Sequence, residues 1–103
     1  MSDLAEFLRA RLDEDERDAQ ETERLVESGM EVPGAVTYSP ERVLREVEAK
    51  RQLVREISTL TEFDWGEPDG SMRSDYVEAF RRVLRIHALP YADHPDYREE
   101  WRP

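Results

Sequence analysis

His87, Asp93, His94 and Asp96 are the side chains whose types and proximity could do chemistry together. Imidazole nitrogen and carboxylate oxygen form a donor set for zinc and related divalent ions. Their spacing matches no ligand signature. His87 falls on an apolar helical face, and His94 precedes Pro95, where it suits a cap or loop contact. Both read as structural residues, and neither a metal nor another cofactor is expected. Carboxylates are so abundant, 25 among 103 residues, that a hydrolytic pair can be drawn almost anywhere and none is informative. General acid–base work needs carboxylates in a water-poor cleft with separated pKa values, whereas these lie on faces predicted to be solvated. No serine sits in a Gly-x-Ser-x-Gly elbow, and the four glycines form no phosphate-binding loop. Cysteine is absent, which excludes disulfides, thiolate zinc sites and a Cys nucleophile. The expectation is a non-enzymatic protein with no catalytic residue to name.

Binding chemistry remains. Asp13, Glu14, Asp15, Glu16 and Asp18 form an acidic run that could dock a basic protein partner. The plainer reading is a solvated helix face with local pairs such as Arg9 with Asp13 and Asp13 with Arg17. Tyr97 and Trp101 are further candidates for a protein-binding surface, although four-residue spacing also suits docking onto the protein's own body. Arg81, Arg82 and Arg85 could meet phosphate, but on a chain of net charge −10 such arginines more often pair with internal carboxylates. The same charge disfavours nucleic acid and anionic membrane as partners, since both repel the chain at long range.

Helices must position these groups. Asp3 and Glu6 have capping-box spacing, and Leu4, Phe7, Leu8, Leu12, Ala19, Thr22, Leu25 and Val26 then recur at mostly helical steps, ending near Gly29. About 25 residues at 1.5 Å each make a rod of roughly 37 Å, which calls for a second long helix beside it. Pro33-Gly34 marks a turn, with Val36, Thr37 and Tyr38 favouring a short strand. Ser39-Pro40-Glu41 starts the second helix sharply, through a capping hydroxyl, a proline at the first position and an acid at the positive end of the dipole. Val43, Leu44, Val47, Leu53, Val54, Ile57 and Leu60 form its stripe, and Arg42, Arg45, Lys50, Arg51 and Arg55 are placed to face the acidic first helix. Glu62 to Arg73 reads as a loop in which Phe63 and Trp65 could anchor. A third helix is predicted from Ser74 or Asp75 to before Pro90, with Tyr76, Val77, Phe80, Val83, Leu84 and His87 on one face. A last short turn from Pro95 would set Tyr97 and Trp101 on one side.

The fold class predicted is therefore all-α: one domain over 1–103, a long antiparallel helical hairpin plus a third helix and a short C-terminal aromatic turn. A chain of this size folds without staples, though only marginally. Residues 3–31 carry 11 acids and 4 bases (−7), while residues 39–61 carry 4 and 5 (+1), so the hairpin would set opposite charges along its seam. No apolar run approaches the roughly 20 residues that span a bilayer. The opening Met1-Ser2-Asp3-Leu4 leads into an acidic amphipathic pattern without the features of a secretory signal. A cytoplasmic location without membrane attachment is expected.

Three blocks look familiar: Phe7-Leu8-Arg9-Ala10-Arg11-Leu12-Asp13-Glu14-Asp15-Glu16, the run Pro40 to Arg51, and the run Ala88 to Pro103 that contains Ala88-Leu89-Pro90-Tyr91-Ala92-Asp93-His94-Pro95-Asp96-Tyr97. Together they resemble a domain-of-unknown-function family of small actinobacterial and actinophage proteins. The resemblance implies no activity. It does imply a shared core of helices and aromatic tail, suited to a scaffold or binding module. Val36-Thr37-Tyr38 stands where longer members of that family have histidines, Ser39 replaces their Asp, and their cysteines are missing. On this footing the expected function is protein interaction, by self-association as a homodimer or with a host protein in a phage or prophage setting. The alternative is an acidic decoy that mimics nucleic-acid phosphates and blocks a DNA- or RNA-binding protein.

Overall fold

The computed structural model describes residues 3–31, 39–62 and 71–103. Among them the chain is helical and contains no strand: α1 is Asp3–Glu27, α2 is Pro40–Glu62 and α3 is Ser71–Ala88, followed by two 3-10 turns, Leu89–Tyr91 and Glu99–Trp101. The all-α class and the α1–α2 hairpin agree with the sequence pattern. The strand expected at Val36 to Tyr38 and the anchors Phe63 and Trp65 lie outside the described residues.

Local chemistry explains the helix ends. The amide of Met30 donates to the Leu25 carbonyl at 3.1 Å and that of Gly29 to Val26 at 3.0 Å, the paired bonds of a Schellman motif. Gly29 makes this possible with a φ of +88°, a left-handed backbone that a side chain would strain. At the start of α2 the Ser39 hydroxyl accepts the Arg42 amide at 3.4 Å, and the Ser39 carbonyl accepts that of Val43 at 3.1 Å, as expected of a cap.

Two boundaries differ from expectation. The third helix begins at Ser71, not Ser74 or Asp75. Nothing in Ser71-Met72-Arg73 opposes helical backbone. The tail is not one turn from Pro95. The amide of Tyr97 closes a tight turn onto the His94 carbonyl at 3.0 Å, and a separate 3-10 turn carries Trp101, because Arg98 between them is extended.

The core joins Leu4, Leu8 and Leu12 of α1 to Val47, Val54 and Ile57 of α2, with Leu84 and Ala88 of α3 and Trp101 of the tail closing one side. The third helix runs in the direction of α1. Its Leu84 shares a groove with Leu4, and Tyr91 just beyond its end reaches Asp15. The molecule is a rod of 61 × 25 × 19 Å. Its radius of gyration, 17.1 Å, exceeds the roughly 13 Å of a compact domain of about 100 residues. Among the described residues, α3 and the tail thicken the half of the hairpin that holds the start of α1, and the other half consists of α1 and α2.

Candidate functional site

The acidic run of α1 meets the rest of the chain residue by residue. Arg51 of α2 donates from Nη2 to Asp13 Oδ1 at 2.6 Å and from Nη1 to Glu16 Oε2, a double clasp across the hairpin seam. These bonds, Glu16 first and Asp13 second, hold the guanidinium above its ordinary pKa. Glu14 lies 3.3 Å from Arg11 Nη2 on the same helix. Asp15 accepts the Tyr91 hydroxyl at 2.6 Å. Burial, and after it this bond to a carboxylate, push the Tyr91 hydroxyl upward in pKa. Among the described residues, Asp18 alone of the five candidate acids has an exposed side chain that makes no contact of this kind.

The cations of α2 were expected to line the seam, but only part of that pattern is realised. Arg42 turns to Glu46 at 3.2 Å and Arg55 to Glu48 at 3.9 Å, both on their own helix, where acids one and two turns away are nearer than α1. Arg51 does cross.

Tyr97 and Trp101 meet at Phe7. Its ring centroid lies 6.1 Å from Tyr97 and 5.0 Å from Trp101, and 6.3 Å and 5.7 Å from Tyr91 and His94, mostly edge to face. Both candidate rings therefore cap the start of α1, Trp101 being buried and Tyr97 half-buried. His94 accepts the Asp96 amide through Nδ1 at 3.0 Å, which places the ring proton on Nε2. Among the described residues no group of three or more His, Asp and Glu is arranged to hold a metal ion.

Arg11 was missed by sequence reasoning. It is 9% exposed, its guanidinium lies 5.2 Å from the Phe7 ring centre, and Nε and Nη1 are buried without a hydrogen-bond partner in the chain. Tyr97 Oη is in the same position. The one available signal was the four-residue step from Phe7, which sets both on the face the tail covers.

At the other end of the rod the apolar stripe outlasts its cover. Leu8, Leu12 and Ala19 are buried, but Val26, on the same stripe, is 43% exposed, and Met30 is 58% exposed. The nearby acids Asp18, Glu23 and Glu27 of α1, and the cations Arg45 and Lys50 of α2, have no ion-pair partner among the described residues.

These features define a small helical-hairpin protein with an aromatic cap at one end and a two-helix tip at the other. The chain matches the Family of unknown function (DUF6221) over residues 1–103 and belongs to it, in keeping with the resemblance carried by the three sequence blocks. No curated protein and no solved structure matches it. No helix among the described residues is long and apolar enough to cross a membrane.

Proposed function

We propose that the protein is a non-enzymatic interaction module that self-associates through the tip of its hairpin, the occupant of that surface being a second copy of this chain. The observation that carries the reading is the exposed continuation of the core stripe at Val26 and Met30. Charge supplies the choice of partner. The tip offers unpaired acids on α1 and unpaired cations on α2. A two-fold axis along the rod sets each α1 opposite the α2 of the other copy, so both stripes are covered and both charge sets are matched. The resulting tip would be a four-helix bundle, with both thickened ends at the same, opposite end of the dimer. A phage or prophage setting is part of this reading only through the resemblance of the three blocks.

The decoy alternative draws less support. Asp13, Glu14, Asp15 and Glu16 are each engaged by the chain's own donors, which weakens the field a phosphate mimic needs.

Sedimentation equilibrium over a wide concentration range tests self-association. A concentration-dependent dimer is expected. Val26→Glu, at an exposed site that leaves the core intact, should weaken it at least about tenfold, equal to roughly 1.4 kcal/mol. Lys50→Glu should weaken it too, and Asp18→Lys in the same chain should restore part of the loss. A wild-type chain that stays monomeric at the highest concentration would overturn the reading.

A further inference from the structure

At the thick end, away from the tip, α1, α3 and the tail frame an open groove of about 400 Å³. Its floor is apolar: Leu4, Leu84 and Trp101 present edges there, and each is otherwise buried. Three arginines stand on its rim, Arg81 and Arg85 from α3 and Arg98 from the tail, with the carboxylates of Asp3 and Glu100 beside Arg98, so the cations outnumber the acids by one.

Among the described residues their donors are largely uncommitted. Arg98 gives Nη1 to Asp3 at 2.9 Å, with Glu100 at 3.6 Å from the same nitrogen. Arg85 gives Nη2 to Glu78 at 2.9 Å. A guanidinium carries five N–H donors in a planar fork, so among the described residues each of these two has Nε and one Nη without a hydrogen-bond partner, the Arg98 fork lying over the Trp101 ring at 5.3 Å from its centre. Arg81 is exposed and, among the described residues, makes neither an ion pair nor a hydrogen bond. It stands one turn from Arg85, a like-charge spacing that costs a helix stability and that an anion between the two would relieve.

We propose that this groove binds a small organic phosphate monoester. The phosphate lies on the rim against Arg81, Arg85 and Arg98, and the organic body lies on the Leu4, Leu84 and Trp101 floor. A dianion with three acceptor oxygens suits several guanidinium forks, whereas a carboxylate is satisfied by one. An apolar floor adds nothing for inorganic phosphate but favours a ligand with carbon to bury. A polyanion such as nucleic acid is repelled by the net charge of −10, while a small dianion depends on short-range contacts in the groove.

The test is a two-dimensional NMR titration of the full chain with phenyl phosphate, following the assigned indole N–H of Trp101. Inorganic phosphate and phenol serve as comparison ligands. A saturable shift at Trp101 is expected with phenyl phosphate, and a far weaker response with either comparison ligand. Arg81→Gln, which removes no ion pair or hydrogen bond among the described residues, should raise Kd at least about tenfold, while Arg82→Gln, outside the groove, should leave it unchanged. Val26→Glu should also leave it unchanged, which separates this site from self-association at the tip. No saturable shift at Trp101, an Arg81→Gln protein that binds as the wild type does, or equal binding of inorganic phosphate would each overturn the proposal.

Discussion

Arg11 and Tyr91 sit side by side under the aromatic cap and make opposite demands on it. A buried guanidinium with two unpartnered nitrogens carries a desolvation cost that Glu14, at 3.3 Å, offsets only in part. Arg11→Met keeps the length of the side chain and removes the charge, so we expect stability to hold or to rise by about 1 kcal/mol in urea unfolding. A loss of more than about 2 kcal/mol would mean that the contact with Phe7 outweighs desolvation. Tyr91 behaves differently, because its neutral form is the one the fold prefers. Its pKa is raised in the folded state, so its contribution is complete below the ordinary tyrosine value of about 10 and fades as pH climbs beyond it. The melting temperature of the wild type should therefore fall above about pH 10, and that of Tyr91→Phe should fall less over the same range. Identical slopes would show that Tyr91 is not a source of the alkaline loss.

The helices carry the plainest link from sequence to structure. A Schellman end depends on the one left-handed residue, and open space around the Gly29 Cα means that backbone strain alone decides a substitution there. Gly29→Ala should cost about 1 kcal/mol in thermal unfolding. A neutral result would indicate that the end of α1 re-forms in another way. Helix existence was legible because Leu4, Leu8, Leu12 and Val47, Val54 repeat at helical steps, and the Ser39-Pro40 start was legible because cap chemistry is local. The start of α3 was not, since serine and arginine after a Gly read equally as loop. The burial of Arg11 was hidden for a related reason: among alternating charges a lone arginine reads as solvated, and only the tail, more than 80 positions later in the chain, encloses it. The acidic run was visible as charge but not as structure, because Arg51 and Tyr91 come from other elements.

Across the whole molecule, stability is concentrated at the thick end. Trp101 packs on Phe7 and Tyr97 and closes the core, so Trp101→Ala should cost about 3–5 kcal/mol. That is a large share of the roughly 5–15 kcal/mol that holds a small domain together. Chemical denaturation should show this loss, and a cost under about 1 kcal/mol would show that the cap is ornament to the hairpin. Tip and cap are far enough apart that their substitutions should add when combined.

Arg98 reaches Asp3 across 95 positions of sequence, and Trp101 reaches Phe7 across nearly as many. Synthesis is directional, so Phe7 leaves the ribosome well before the indole that shields it. Until then the first helix presents a bare ring to solvent or to a chaperone. Covering of Phe7 is therefore a single closing event that waits for the tail, not a gradual one along the helices.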